Sequence, residues 1–417
     1  MPEDSPGVAD RSIKQDRTLG RLANLPTTVL GLGGVSLLND LASEMIYPLL
    51  PVFIAGVLGA STTMLGAIEG AAESVNSLLK LASGRLSDRL RRRKRLVLAG
   101  YLLSSLARPL IAATATAWQV LLLRGLDRTG KGVRTAPRDA LIADASPADR
   151  LALGFSVQRS MDHVGAVLGP LVAAALLAAA TKDLRVIFAL SAIPAAATVL
   201  LLWWGVKEPA RAAGRAPAAR SSAPTLSSAP LEADPRLRGV LVAMFLFTLG
   251  NSTDAFLLLR AGQLGISVAA LPLLWAAFHV SKAVWAIPGG MWADRAGPKR
   301  TIFTGWLVYA ATYLGFAVVT TPWQVVLLFL FYGLYFGLTE GPERSLITSL
   351  APADARGRAL GAYHLAIGIG ALPASLGFGF VWQHWGAATA FTLGAALAAL
   401  ATALLAAVLH GDDGVAG

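Results

Sequence analysis

Long apolar stretches recur along almost the whole chain, and they constrain the fold more than any other feature. Each covers about 20 residues or more, the length that an α-helix needs to cross a hydrocarbon core of about 30 Å. Their approximate positions are 28–54, 62–83, 95–115, 118–141, 152–178, 184–205, 238–260, 268–290, 301–320, 323–349, 357–381 and 387–409. The sequence therefore predicts an all-α, polytopic membrane protein with twelve transmembrane helices.

Composition agrees with this interpretation, because the chain has too little charge to cover a soluble protein of its length. Charged residues are 15% and hydrophobic residues 55% of the 417 residues, whereas soluble domains carry about 25% charged residues. The chain has no cysteine, which excludes disulfides and thiolate metal sites. The first 25 residues are polar and mixed in charge, and we expect no cleaved signal peptide there.

A polar segment divides the apolar stretches into two sets of six. Residues 206–237 are rich in Ala, Pro, Ser and Arg and are typical of a flexible linker. The sequence predicts five regions: an N-terminal tail 1–27, a six-helix half 28–205, the linker 206–237, a second six-helix half 238–409 and a C-terminal tail 410–417.

The two sets of six resemble each other in sequence. WQVLLL at 118–123 matches WQVVLL at 323–328, and APRDALIADASPAD at 136–149 matches GPERSLITSLAPAD at 341–354, both at an offset of 205. GRLSDR at 84–89 matches GMWADR at 290–295, one residue out of step. Such internal repeats are typical of secondary transporters with two pseudo-symmetric halves.

Basic residues cluster on one side of the predicted bundle. Seven follow the second apolar stretch, six lie between the sixth and seventh, and three follow the eighth, whereas the loops after the first, third, ninth and eleventh hold none. Because Lys and Arg are retained on the cytoplasmic side, we expect both tails and the linker in the cytoplasm, with the helices in the bacterial inner (plasma) membrane. The net charge of +11 is then a topology signal, and we expect no nucleic-acid partner.

The stretch RGLDRTGKGVRT, residues 124–135, fits the pattern GxxxxGK but is not a phosphate-binding loop. It lacks the terminal Ser or Thr, and no strand precedes it. Its charged side chains share an arc of about 140° on a helix, opposite Leu122 and Leu126. We expect interior roles for Arg124, Asp127 and Arg128, cytoplasmic exposure for Arg138 and Asp139, and close helix contacts at Gly130 and Gly132.

Acidic side chains follow one face of the second predicted helix. Glu69, Glu73, Asn76 and Lys80 stand at i, i+4, i+7 and i+11, within about 60° of one another. Ionised carboxylates at membrane depth cost several kcal/mol and persist where they are paired, hydrated or protonated during a working cycle. We interpret them as proton-carrying groups, with static pairing to arginines of the fourth helix as the alternative.

Further charged residues complete a candidate proton-coupling and substrate cavity. The full set is Asp40, Glu44, Glu69, Glu73, Arg124, Asp127, Arg128, Arg159, Asp162, Asp254 and Glu340. Interior acids suit a cation or metal and interior arginines suit an anion, so the sign of the substrate stays open. No nucleophile–base set or metal-ligand spacing stands out, and we expect a protein that is not an enzyme and has no cofactor or bound metal.

The charged loop after the second stretch resembles a signature of the major facilitator superfamily, Gly-x-Leu-Ala-Asp-Arg-x-Gly-Arg-Lys. GRLSDRLRRRKR at 84–95 matches it with Arg91 in place of the second Gly, and GMWADRAGPKR at 290–300 is a second copy. The resemblance covers about residues 25–410 and implies a two-domain transporter fold. It also implies a latch that favours one access state, formed by Gly84, Asp88, Arg89, Arg92, Arg93, Gly290, Asp294 and Arg295.

Other motifs resemble the antiporters of this family. Arg124 is similar to a fourth-helix arginine associated with proton coupling, and Gly165, Gly169 and Pro170 resemble the fifth-helix antiporter signature without its trailing Gly pair. The stretch DRTGKGVRTAPRDALIAD, residues 127–144, is similar to a bacterial branch of efflux permeases, some of them linked to metal resistance.

These motifs imply a secondary active transporter that works by alternating access in the lipid bilayer, as a monomer. The activity we expect is proton-coupled efflux of a drug-like compound, a metal ion or a metal complex. Two alternatives remain, a proton-coupled symporter that imports a small organic solute and a non-transporting membrane receptor or scaffold.

Overall fold

The computed structural model describes residues 25–89, 93–147, 151–208, 235–352 and 355–409, without the side chains of residues 81, 84–89, 151 and 152. Within these ranges the chain is helical apart from short turns. The helices are α1 Thr27–Val57, α2 Thr62–Arg89, α3 Arg93–Ala113, α4 Ala117–Ala145, α5 Leu151–Ala179, α6 Leu184–Gly205, α7 Pro235–Gln263, α8 Leu271–Ala296, α9 Pro298–Val318 and α10 Pro322–Ser349, followed by the helical run Arg356–Leu409.

The final run is two helices joined at a sharp bend. Gly386 has φ 86° and ψ 167°, a non-helical conformation that glycine adopts without steric cost. We therefore number 356–385 as α11 and 387–409 as α12. The described ranges thus contain twelve long helices, which confirms the predicted fold class. Eight helical runs meet a length and hydropathy criterion for crossing a membrane, and α2, α4 and α8 lie outside that set because they carry the polar side chains of the interior.

The internal repeat corresponds to the same local structure in both halves. Gln119 accepts hydrogen bonds from the backbone N–H groups of the two residues before α4, at 2.7 and 3.1 Å. Gln324 does the same for the two residues before α10, at 3.2 and 3.3 Å. The repeated Trp-Gln pair therefore marks equivalent helix starts, with the glutamine side chain satisfying N–H groups that a helix end leaves without partners.

Glycines set the spacing of the helices in the first half, as the sequence predicts. A Cβ atom on Gly130 would meet the carbonyl oxygen of Gly100 in α3, and one on Gly132 would lie 2.6 Å from Cβ of Leu79 in α2. The fifth-helix motif works in the same way. A Cβ on Gly169 would lie 2.6 Å from the carbonyl oxygen of Leu41, so this glycine lets α5 pack closely against α1.

The two halves close against each other at one end of the bundle. We call the end where α6 stops and α7 starts the linker end, and the opposite end the far end. At the far end, Thr62 Oγ1 donates to the carbonyl oxygen of Gly379 at 2.9 Å, and Thr63 Oγ1 donates to Gln383 Oε1 at 2.6 Å. Nearer the middle, Ser74 Oγ donates to the Gly368 carbonyl oxygen at 2.6 Å. These bonds join α2 to α11 from the far end to the middle of the bundle.

The helices extend beyond the apolar stretches, and two of them are interrupted. Predicted stretch 62–83 becomes Thr62–Arg89, and the second half begins at Pro235 where the sequence predicts 238. Residues 251–254 separate two helical pieces of α7, and α1 changes to short 3₁₀ and π turns after Glu44. Most of the predicted linker lies outside the described residues.

Candidate functional site

A buried ion pair joins α2 to α4 in the first half. Arg124 Nε donates to Glu69 Oε1 at 2.8 Å, and Arg124 Nη2 donates to Glu69 Oε2 at 2.6 Å. Both side chains are almost fully buried, 6% and 5% exposed. Such a two-bond geometry is the strongest arrangement of an arginine and a carboxylate, so Glu69 has a fixed charge partner.

This pair continues into a network that reaches α1 and α3. Arg124 Nη1 lies 3.4 Å from Asp127 Oδ2, and Asp127 Oδ1 accepts from Arg108 Nε at 2.8 Å. Arg108 Nη1 also donates to the side chain of Asn39 at 3.0 Å, and Arg134 Nη2 donates to the same oxygen at 3.2 Å. All members are buried. Because a buried charge is tolerated only when it is paired, we interpret this network as the structural core of the half.

Arg108 was not among the predicted site residues. Its signal is an arginine in the middle of the apolar stretch 95–115, because a charge at that depth marks a partner inside the bundle.

Five other carboxylates of the predicted cavity bind neutral donors. Among the described residues, none of these five acids has an Arg or Lys nitrogen within 4 Å, and the closest donor of each lies between 2.6 and 3.1 Å away. The pairs are Asn39 Nδ2 to Asp40, Trp275 Nε1 to Glu44, Asn76 Nδ2 to Glu73, Gln158 Nε2 to Asp162 and Tyr332 OH to Asp254. The chain thus separates its acids into one set neutralised by arginine and one set that is not.

Four cations in the same region also lack a direct counter-ion. Among the described residues, no hydrogen bond or ion pair within 4 Å involves the side-chain nitrogens of Lys80, Arg128, Lys131 or Lys282. The ammonium of Lys282 lies 3.7 Å from the ring centre of Phe336, a cation–π contact. Lys80, Arg128 and Lys131 attract the charge of Glu73 without touching it. The region between the halves therefore holds both signs of charge.

The interruptions of α1 and α7 face each other across the two halves. Tyr47 follows the end of regular helix in α1, and its OH lies 3.4 Å from Thr253 Oγ1 in the gap of α7. The Tyr47 and Trp275 rings lie 5.1 Å apart. Interrupted transmembrane helices in corresponding positions of two repeats are typical of transport sites, because they expose backbone groups in the middle of the membrane.

Two candidate carboxylates connect the halves directly. Glu44 Oε2, on α1, accepts a hydrogen bond from Trp275 Nε1, on α8, at 2.8 Å, and it lies 3.9 Å from His279 Nε2. Glu44 is half-buried. A second link lies nearer the linker end, where Arg159 of α5 binds Glu340 of α10 at 2.7 Å, and Arg344 lies 3.5 Å from the same oxygen. Movement of one half against the other must break both links.

The offset between the halves explains why α8 supplies these groups. At 206 residues, the offset that relates 84–89 to 290–295, Glu69 corresponds to Trp275, Glu73 to His279 and Asn76 to Lys282. The stripe on α2 therefore has a counterpart on α8 with the same spacing and different chemistry.

The surroundings of Arg138 differ from the prediction. Arg138 is not solvated as expected, because it binds Asp139 at 2.9 Å and Ser36 Oγ at 3.3 Å, with its side chain 15% exposed.

Of the latch residues, Arg92 and the side chains of Asp88 and Arg89 lie outside the described residues, as does the environment of Gly84. Those described are Arg93, which binds Asp144 at 2.5 Å, and Gly290, Asp294 and Arg295 at the linker end of α8. The latch stays a prediction.

Comparison with known proteins decides the family. A family model described as Major Facilitator Superfamily matches residues 32–261 and, a second time, residues 240–416. The chain belongs to the major facilitator superfamily. It is 31% identical to the uncharacterized MFS-type transporter MJ1317 of Methanocaldococcus jannaschii, over 90% of this chain and 93% of that protein. It is 26% identical to the inner membrane transport protein YajR of Escherichia coli, over 89% of this chain and 80% of YajR.

A solved structure shares the fold of this superfamily member. The crystal structure of the nucleoside transporter NupG matches with a TM-score of 0.74 over 91% of this chain and 98% of NupG, at 14% identity. At that identity the match shows the fold alone. The protein is thus a multi-pass membrane transporter and not an enzyme.

Proposed function

We propose that this protein exports a small solute in exchange for protons, by alternating access of a site between its two six-helix halves. The observation that carries the proposal is the hydrogen bond from Trp275 to Glu44, because it places an ionisable group on the boundary that must open and close. The test is a transport assay on variants of residues at this boundary.

Carboxylates without a cationic partner are the groups that can carry protons. In a low-dielectric surrounding the ionised form of such a group is costly, and in a hydrated cavity it is not. Its protonation therefore depends on which side of the membrane reaches the cavity. Glu69 is neutralised by Arg124 in the arrangement described. The acids that meet this condition are Asp40, Glu44, Glu73, Asp162 and Asp254.

Glu44 links protonation to the access state. The ionised carboxylate is the better acceptor for Trp275, and so it favours the arrangement in which the halves meet at the far end. Protonation weakens that preference and allows the halves to separate there. A group whose proton affinity differs between two conformations shifts their populations when it is protonated, and this is the linkage that antiport needs.

We place the substrate between the interruptions of α1 and α7. Tyr47, Trp275 and Asp254 lie there together with Glu44, and Lys282 lies on the adjoining face of α8. Aromatic surfaces with a few fixed charges suit a drug-like organic solute or a metal complex. The antiporter-like residues Gly165 and Gly169 on α5, next to α1, support export rather than import.

The proposal is tested with purified protein in inverted and right-side-out vesicles. A panel of drugs, metal salts and organic acids is supplied under an imposed proton gradient, and uptake is measured in each orientation. Export predicts accumulation in inverted vesicles only, driven by acid inside. Proton-driven uptake in right-side-out vesicles, against a substrate gradient, would instead assign the protein as an importing symporter.

Substitutions of single carboxylates then identify the residues that couple transport to protons. Glu44→Gln and Glu73→Gln should abolish proton-driven transport but retain exchange of labelled for unlabelled substrate, which moves no net protons. Asp183→Asn is the matched control, since Asp183 lies at the far-end turn before α6 and its side chain only caps that helix. Loss of exchange as well would place the residue in substrate binding, and unchanged proton-driven transport in both variants would contradict proton coupling through these groups.

A further inference from the structure

A groove on the outer surface of the first half lies far from the cavity between the halves. It has a volume of about 310 Å³ and is lined by Lys94, Arg95, Leu98, Trp203 and Glu208. It lies at the linker end, where α3 begins and α6 ends. Positive charge on this side of the membrane sets the topology, but it does not require two cations to share a groove with a tryptophan.

The two cations of the groove have N–H donors that no described acceptor binds. Lys94 Nζ donates one bond, to the carbonyl oxygen of Trp203 at 2.8 Å, and an ammonium has three donors. Arg95 is exposed, and no described group accepts a hydrogen bond from it. A guanidinium presents five donors in a planar fork that matches the oxygens of a phosphate. Together they offer an anion two adjacent positive charges.

The tryptophans locate the groove relative to the membrane. Trp203 is 60% exposed and Trp204 is 74% exposed, at the last turn of α6. Exposed tryptophans at the end of a transmembrane helix lie at the level of the lipid headgroups. The groove therefore opens at the depth of the phosphates in the leaflet on the linker side, with Leu98 toward the acyl chains.

We propose that this groove binds the phosphate headgroup of an anionic phospholipid. Lys94 and Arg95 bind the phosphate oxygens, and Trp203 packs against the glycerol region. Basic pockets between transmembrane helices on one side of the membrane are typical sites for anionic lipids. Glu208 also lines the groove, but its carboxylate accepts from the backbone N–H of Arg93 at 2.6 Å, which holds it at one edge and limits the affinity.

The second half provides a natural comparison. At the offset of 205, Lys299 and Arg300 occupy the equivalent positions at the start of α9, whereas Val408 and Leu409 replace the two tryptophans. A basic pair alone attracts lipids by charge. The proposal requires the groove and its tryptophan as well, and so it predicts a site in the first half only.

The experiment uses the full-length protein in nanodiscs and native mass spectrometry. Retention of phosphatidylglycerol is compared with that of phosphatidylcholine for the wild type, Lys94→Gln/Arg95→Gln, and the control Lys299→Gln/Arg300→Gln. Since each cation near an anionic surface contributes a factor of about five, the first variant should bind phosphatidylglycerol about 25-fold more weakly. The control, which keeps the groove and its tryptophan, should lose less binding than the first variant, and Glu208→Gln should bind phosphatidylglycerol more tightly.

Three results would overturn the proposal: equal retention of the two lipids, phosphatidylglycerol binding that is unchanged in Lys94→Gln/Arg95→Gln, and an equal loss in the control. Competition by millimolar inorganic phosphate would show a site for free phosphate and would also overturn it. Should the double variant fail to fold, Arg95→Gln alone keeps the test, because this exposed side chain binds no described group and its loss leaves the packing intact.

Discussion

Arg124 on α4 binds Glu69 on α2 through two hydrogen bonds, of 2.8 and 2.6 Å, whereas Glu73, one turn further along α2, contacts none of the described cations. Glu73 instead accepts from Asn76 and, at 3.4 Å, from Ser77. Two acids on the same helix face thus have different surroundings. We assign Glu69 to the stability of the first half and Glu73 to the transport cycle.

Removing one partner of the buried pair should destabilise the protein. Glu69→Gln leaves the Arg124 guanidinium buried with only its weaker contact to Asp127. Breaking a buried ion pair from one side costs about 3–5 kcal/mol, so we expect a clear decrease in the midpoint of thermal unfolding in detergent. Glu73→Gln is the comparison, and its midpoint should change little. Equal midpoints for the two variants would contradict the assignment.

The close contact of α4 with α3 should not tolerate a methyl group. Gly130→Ala places Cβ against the carbonyl oxygen of Gly100 and 2.5 Å from Ser104 Oγ, and overpacking of this kind costs about 1–3 kcal/mol. Gly125→Ala on the same helix is the control, because no atom lies within 4 Å of its added Cβ. We expect a lower yield of folded protein and a lower unfolding midpoint for the first variant only, measured by fluorescence-detected gel filtration.

Orientation in the membrane can be tested with single cysteines, because the chain has none of its own. Ser61 lies exposed between α1 and α2 at the far end, and Ser222 belongs to the linker sequence. Ser61→Cys should react with an impermeant maleimide from outside intact cells, and Ser222→Cys only after the membrane is opened. Labelling of both from the same side would contradict the twelve-helix topology.

The fold could be predicted from the sequence because its signals are local. Each apolar stretch reports a membrane-spanning length, and the repeated Trp-Gln motif reports equivalent starts of α4 and α10. The gap in α7 was missed, although Gly250 and the polar residues after it stand at its position. A run of polar residues inside an apolar stretch fits both a helix with a polar face and a break.

From the sequence, the site could be predicted only as a set of helix faces that point toward the interior of the bundle. Helical periodicity placed Glu69, Glu73 and Arg124 toward the interior, but the choice of partner depends on the rotation and spacing of neighbouring helices. That spacing is set by contacts such as Gly132 against Leu79. The bond between Glu44 and Trp275 joins residues in different halves, and no local pattern reports it.

We infer that the halves alternate between two arrangements and that a proton on Glu44 shifts the balance between them. Spin labels on Thr63→Cys and Gln383→Cys report the far end, where these side chains now bind each other. Pulsed electron paramagnetic resonance in nanodiscs should give two distances between the labels. The fraction of molecules at the longer distance should increase as the pH falls. Glu44→Gln should remove this pH dependence, and His279→Gln, which removes the other titratable group at that contact, should retain it. A single distance that is the same at every pH, or a shift that persists in Glu44→Gln, would contradict the account.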